Sequence, residues 1–365
     1  MTRGRSASVS RHLGCREESA GRSRVQPTEP CRSVDRVANS AVARSRQAAV
    51  VYNPTKVDLA KLESAAMDAA AKAGWATPLW FPTSADDAGQ NATRIALEQR
   101  VDLVIAVGGD GTVRAVTEVL RSADVPLAIV PAGTANLFAR NLGLPIGDLA
   151  ASARIAFSKV ERAIDVGVVT IVRNSAEPDE EHAFVVMAGL GIDARMVKNT
   201  SKSMKRAVGW LAYVGGITRS LPQMRALRLR YRLDDAPEQS LSAHSLIVGN
   251  CGGLTGGFLL MPDAHPDDGI LDIAALRPRG PFGWLNVWNR VAWQNRVVAK
   301  NGIGRRIIEL GPDMPDVTYL TGRTLHVRFE RPEYFQLDGD VFGEAISIFA
   351  WVDPGALRVK MPDES

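Results

Sequence analysis

Ala48-Ala49-Val50-Val51-Tyr52 is apolar at every position rather than at alternate ones, which predicts a strand buried on both faces. Asn53-Pro54-Thr55-Lys56 supplies its turn, and an Ala-rich helical stretch runs on to about Ala73. A second strand is expected over 77–81 and a helix over 86–99. Val101-Asp102-Leu103-Val104-Ile105-Ala106-Val107 is again almost continuously apolar. Past a glycine-rich turn the pattern predicts a helix to about Leu120, the strand Leu127-Ala128-Ile129-Val130, a turn at Pro131-Ala132-Gly133-Thr134 and a helix through Arg140. Strands that alternate with helices predict a doubly wound α/β domain on a parallel sheet.

Beyond about Asp165 the texture changes to β-type stretches at short spacing, at 166–172, 183–187, 227–233 and 241–248. This predicts an α/β plus β fold, with a β-rich, sandwich-like second domain interrupted by helical insertions over 203–220 and 282–300. The expected organisation is a disordered Arg/Ser-rich tail over 1–46, an α/β domain over 47–165 and a β-rich domain over 166–345. Closing strands over 346–365 are expected to return toward the first domain. No 20-to-50-residue repeat is apparent, which argues against a solenoid.

Composition adds limits. A chain of 365 residues, 45% hydrophobic and 23% charged, has enough material for two globular domains at roughly 100 to 200 residues each. The net charge of +4 is misleading, because residues 1–46 hold ten Arg against four acidic groups and the remainder is left at −2. A basic tail on a near-neutral body gives little support to nucleic-acid binding, which needs its basic stripe on folded surface. Cys15 and Cys31 lie in the tail and Cys251 alone in the body, so no disulfide framework is expected and a reducing cytoplasm is the simplest setting. No apolar run reaches the ~18 residues of a membrane span, and the N-terminus lacks the apolar core of a secretory signal.

The candidate chemistry begins at Gly108-Gly109-Asp110-Gly111-Thr112, directly after a buried strand and before a helix. That placement aims backbone N–H groups and a helix N-terminus at the carboxyl edge of the sheet, which suits phosphate. Glycine lets the backbone approach phosphate oxygens without a Cβ in the way. The plainer reading is a tight turn between strand and helix. The loop is neither a Walker loop nor a dinucleotide fingerprint. Downstream, Asp263-Ala264-His265-Pro266-Asp267-Asp268-Gly269-Ile270 is an acid-rich turn before a strand, and Gln336-Leu337-Asp338-Gly339-Asp340 reads as a hairpin on Asp-Gly with two carboxylates flanking the glycine.

Taken in order, these motifs resemble the diacylglycerol kinase catalytic-domain family, which includes bacterial lipid kinases and sphingosine and ceramide kinases. The resemblance rests on Asn53-Pro54, Gly108 to Thr112, Pro131 to Asn136, Gly189-Leu190-Gly191-Ile192-Asp193, Pro262 through Asp272, and Gln336 to Asp340. It implies a nucleotide domain of the NAD-kinase/diacylglycerol-kinase type and transfer of phosphate from ATP to a lipid hydroxyl, with Mg²⁺. ATP is then expected at Asn53, Thr83, Gly108, Gly109, Asp110, Gly111, Thr112, Gly133, Thr134 and Asn136. The family's metal loop maps onto the carbonyls of His265 and Ile270 and the carboxylate of Asp268. Asp340 falls at the proton acceptor's place, where the family usually has Glu, and Asp338 or Asp110 is a further candidate for that role. Val113-Arg114-Ala115 replaces the family's small apolar residue followed by Asn-Glu, so Arg114 is expected either to contact phosphate or to be solvated.

The resemblance also implies a lipid substrate at the cytoplasmic face of a membrane and transient peripheral contact; no nucleic-acid partner is expected, and a homodimer is one open option. Trp284, Trp288 and Val291 recur at helical spacing near Trp293, with Arg290, Arg296 and Lys300 interspersed. Such a helix suits a bilayer interface, or packs between domains. Lys202, Lys205 and Arg206 before Trp210 form a second candidate. NAD kinase, which shares the Gly-Gly-Asp-Gly loop, and a catalytically silent lipid-binding homologue are the competing functions.

Overall fold

The computed structural model describes residues 44–174, 178–191, 226–278 and 316–363. The expected insertions over 203–220 and 282–300, with their Trp and basic residues, lie outside these, as do residues 1–43 and Ile192-Asp193.

The first half alternates as the apolar pattern predicts: β1 (Ala48–Tyr52), α1 (Leu59–Lys72), β2 (Leu79–Pro82), α2 (Gln90–Glu98), β3 (Leu103–Gly108), α3 (Asp110–Leu120), β4 (Leu127–Pro131), α4 (Leu137–Asn141) and α5 (Leu149–Ala156). The strands are parallel in the order β2-β1-β3-β4, so the winding direction reverses between β1 and β3. Alternate residues of each strand serve opposite layers. Val50, Ile105 and Val130 pack with Leu62 of α1 and Ala153 of α5, whereas Val51, Ala106 and Ile129 pack with Ala96 of α2 and Val116 of α3. Helix α2 starts later than the sequence predicts, because the Asp87 carboxylate accepts from the N–H groups of Gly89, Asn91 and Ala92 and holds the chain in a cap, with Gly89 at φ +141°.

The second half adds β5 (Glu161–Val172), β6 (Glu180–Phe184), β7 (Met187–Gly191), β8 (Leu227–Leu233), β9 (Gln239–Ala243), β10 (Ser245–Gly249), β11 (Leu271–Leu276), β12 (Val317–Gly322), β13 (Thr324–Leu337) and β14 (Asp340–Lys360). Its core joins Leu190, Leu229, Phe335, Ile348 and Ala350, all essentially inaccessible.

β14 ties the halves together. It pairs antiparallel with β13 and β5, and its end meets β4 at Val359↔Leu127, so the described strands form one fourteen-stranded sheet. Pro354-Gly355 reads as a strand break in sequence, yet β14 runs through it on a register shift between Asp353 and Leu357. Gly355 takes φ +62° and donates its N–H to Asp165 Oδ1 at 2.7 Å, which satisfies the backbone where the ladder lapses. No helix among the described residues is long and apolar enough to cross a membrane.

Candidate active site

At the β1/β3 switch point, loops after four parallel strands gather at one edge of the sheet, the place where open α/β sheets bind ligands. Asn53 follows β1, donates its N–H to Val107 O at 3.0 Å, and turns its carboxamide onto Thr55 N and Oγ1 at 3.0 and 2.8 Å. Thr83 follows β2, is buried, and donates its N–H to Tyr52 O at 2.8 Å. Gly108 ends β3 and Gly109 caps α3, its carbonyl accepting from Thr112 N and Val113 N at 3.0 and 3.1 Å, so the N–H groups of 109–111 lie ahead of the first helical bond. The loop after β4 carries Gly133 and the exposed Thr134.

The two glycine loops touch. A Cβ on Gly133 would lie 2.5 Å from Gly109 Cα, and one on Gly108 would lie 2.6 Å from Thr112 Oγ1, so neither position has room for a side chain. Asn136, at φ +48°, closes the second loop with its carboxamide, accepting from Gly133 N at 2.9 Å and donating to Gly133 O at 2.8 Å. Asp110 Oδ1 accepts from Phe138 N at 3.2 Å and so fastens the start of α3 to the start of α4. Burial pushes the Asp110 carboxyl up, while the N–H groups of Phe138 and Leu137 pull it back. Asp110, Thr112 and Asn136 therefore shape the loops, and backbone N–H groups with Thr134 form the surface offered to a ligand.

The hairpin between β13 and β14 forms as the Asp-Gly pair predicts. Asp338 and Gly339 both take positive φ, +48° and +89°, Leu337 pairs with Asp340, and Gln336 Oε1 accepts from Gly339 N at 2.7 Å. Its two carboxylates part company. Asp338 turns inward and accepts from the N–H groups of Val185, Val186 and Met187, each at 2.9 Å. Burial pushes it up to about 6 against the pull of those three donors. Its oxygens are committed to the backbone that links β6 to β7, whereas the proton-acceptor role expected of this hairpin needs an open carboxylate.

Asp340 turns the other way. Its carboxylate lies against the phosphate loop, so that a Cβ on Gly111 would be 2.8 Å from Asp340 Oδ2. Its other side is open, with 55% of the side chain exposed. Arg114 approaches the same oxygen at 3.5 Å from the start of the second turn of α3. The expectation that Arg114 is solvated is not met. The residue is 4% exposed, stacks on the Phe342 ring at 4.7 Å, and lies 3.6 Å from Glu118 Oε2. Glu118 also accepts from Ala183 N at 3.1 Å and lies 3.4 Å from His182 Nδ1. Burial pushes the Glu118 carboxyl up, but His182, the Ala183 N–H and Arg114 together hold it below its ordinary value. The Arg114/Glu118 spacing of four was a readable sign of this pair; the contact with Asp340, 226 residues away, was not.

The acid-rich turn is a second cluster. Asp268 Oδ1 accepts from Ile270 N at 3.0 Å. Asp165, which the sequence reading passed over, holds the turn through Gly269 N on Oδ2 at 2.6 Å and its own N–H on Pro266 O at 2.7 Å. Burial raises Asp268, and burial with repulsion from Asp268 and Asp263 raises Asp272 to about 6. Among the described residues no three His, Cys, Asp or Glu side chains are grouped as a metal cage. One carboxylate in crowded negative surroundings, with the carbonyls of His265 and Ile270 beside it in the turn, is a donor set that fits Mg²⁺, a hard cation that keeps several waters.

Residues 47–169 match the family model described as the diacylglycerol kinase catalytic domain. Residues 185–297 match that of the YegS C-terminal NAD kinase beta sandwich-like domain. A probable YegS-like lipid kinase of Pseudomonas fluorescens strain Pf-5 is 32% identical over 307 residues, covering 82% of this chain and 91% of its own length. The chain belongs to the diacylglycerol kinase family. A Bacillus subtilis diacylglycerol kinase is 31% identical over 241 residues, covering 64% of this chain and 74% of its own. A crystal structure of a diacylglycerol kinase from Bacillus anthracis strain Sterne has the same fold, with a TM-score of 0.59 at 20% identity over 87% of this chain and 98% of that one. Members of the family are kinase-type phosphotransferases with an alcohol acceptor, and the loop-plus-carboxylate arrangement around Gly111 is one that such chemistry can use.

Proposed function

We propose that this chain transfers the γ-phosphate of ATP to the free hydroxyl of diacylglycerol or a closely related lipid, giving a phosphatidate-type product at the cytoplasmic face of a membrane. The observation that carries the reading is the seat of Asp340 on Gly111: an open carboxylate held against the backbone of a phosphate loop. Phosphoryl transfer asks the protein for positioning, charge stabilisation and a group that receives the acceptor's proton.

In this reading the N–H groups of 109–111 and the N-terminus of α3 hold the phosphates, with Thr134, Asn53 and Thr83 along the same edge. Asp340 takes the proton of the lipid hydroxyl as its oxygen bonds to the γ-phosphorus; the bond from that phosphorus to the β,γ-bridging oxygen breaks, and ADP leaves with the electron pair. Mg²⁺ supplies charge neutralisation, and His265, Asp268 and Ile270 are the residues that would hold a cation apart from the one that travels with ATP. Arg114 positions Asp340 through its 3.5 Å contact with Oδ2. Because Arg114 occupies an oxygen of the carboxylate that would receive the proton, this contact is the feature that favours the second reading, a silent lipid-binding homologue.

The test offers the purified protein labelled ATP and Mg²⁺ with diacylglycerol, ceramide, sphingosine and NAD in parallel. Label in diacylglycerol is expected. Label in NAD alone rejects the lipid reading, and no label in any acceptor selects the silent one.

A further inference from the structure

Far along the β-rich half from Asp340, the outer sheet face carries a row of arginines that phosphotransfer does not use. In β8, Leu227 and Leu229 enter the core, while Arg228, Arg230 and Arg232 stand exposed on the opposite face. Strand register places Arg328 of β13 directly across from Arg230, and like charges at directly opposed positions cost stability. The nearby acids answer weakly. Glu330 lies 3.9 Å from Arg228 and Glu238 lies 3.6 Å from Arg230, with all four side chains largely exposed. Exposed pairs of this kind are worth at most about 1 kcal/mol.

Arg228, Arg230 and Arg328 line a groove of about 590 Å³ together with Ser240 and Ser242. Three guanidinium groups and two hydroxyls line it against a single acid, Glu330, a set dominated by donors suited to phosphate oxygens. The same face continues across β13 to β14, where His326 stands opposite Phe349 and Thr324 opposite Trp351. Phe349 is 41% exposed and stacks on Trp351 with ring centroids 5.3 Å apart. Phe349 is thus the exposed ring of the pair, the half-buried Trp351 resting on the core beneath it, and it stands on the same face as a weakly paired arginine row.

We propose that this face of β8, β9, β13 and β14 docks on an anionic lipid bilayer, with Arg228, Arg230 and Arg328 pairing with headgroup phosphates and Phe349, beside the half-buried Trp351, entering the interfacial layer. Trp is enriched at membrane–water interfaces, and basic residues near an anionic leaflet each add a comparable increment of binding. The proposal stands on charge and exposure, independently of the reaction assigned above.

The test is co-sedimentation of the full chain with vesicles of phosphatidylcholine, and with vesicles in which a third of the lipid is phosphatidylglycerol. The wild type is expected to sediment with the anionic vesicles and far less with the neutral ones. The triple variant Arg228→Ser, Arg230→Ser, Arg328→Ser is expected to bind anionic vesicles about a hundredfold more weakly, with unchanged thermal melting and unchanged transfer to a detergent-dispersed lipid. Phe349→Ser, at an exposed position, supplies a second variant that weakens binding without removing charge. Wild-type binding by the triple variant overturns the proposal, as does equal sedimentation with neutral vesicles. Capture of the wild type by single-stranded RNA with no vesicle binding also overturns it and makes the face a nucleic-acid surface.

Discussion

The hairpin sets two acids two residues apart and gives them opposite work, which makes their substitutions separable. Asp338→Asn replaces an acceptor of three backbone N–H groups by one whose amide end faces a donor, so it is expected to cost about 1–3 kcal/mol in urea unfolding. With the Asp338 carboxyl pushed up to about 6, the native state binds this proton more tightly than the unfolded chain does. This group's stabilising contribution is therefore complete below about 4 and is lost as pH rises through about 6, and a carboxyl ¹³C titration of the folded protein should show that midpoint. Arg114→Lys keeps the charge but loses the planar stack on Phe342, so kcat is expected to fall while the KM for ATP holds. An unchanged kcat would remove Arg114 from the positioning of Asp340. The glycines of the phosphate loop were legible in sequence because only a missing Cβ permits such turns. The inward use of Asp338 and the burial of Arg114 were not, because both depend on partners more than a hundred and fifty residues away.

At the scale of elements, α3 is the hinge of the account: its first residues form the phosphate loop, and one turn later it presents Arg114 to β14. Gly111→Ala tests that junction. The added Cβ would fall 2.8 Å from the Asp340 carboxylate, the movable end of a side chain, so Asp340 rather than the backbone should yield. Stability is expected to stay within about 0.5 kcal/mol, while kcat drops at least tenfold; a variant with full turnover contradicts the seat of Asp340 on the loop. Asp165 is the corresponding fastener in the other half. Asp165→Ala leaves the N–H groups of Gly269 and Gly355 without their acceptor and is expected to cost about 2–4 kcal/mol in thermal or urea unfolding. Alternating strands and helices were readable from apolar periodicity. The run of β14 through Pro354-Gly355 was not, because the residue that makes it tolerable, Asp165, lies 190 positions earlier.

Across the whole molecule, the α/β half carries the glycine loops and the β-rich half carries Asp340, and β14, as the strand shared by both, brings together what the proposed reaction assigns to phosphate binding and to proton acceptance. This division explains why the glycine loop alone left lipid kinase and NAD kinase unresolved in the sequence: the loop specifies phosphate, whereas the acceptor is met by groups from the second half. The measurement that bears most directly on the account is single-turnover transfer from labelled ATP to diacylglycerol by the wild type and by Asp340→Asn, with ATP affinity measured on both. The account predicts labelled lipid from the wild type, a loss of about a hundredfold or more in the variant, and equal ATP binding. Transfer by Asp340→Asn at the wild-type rate would contradict it.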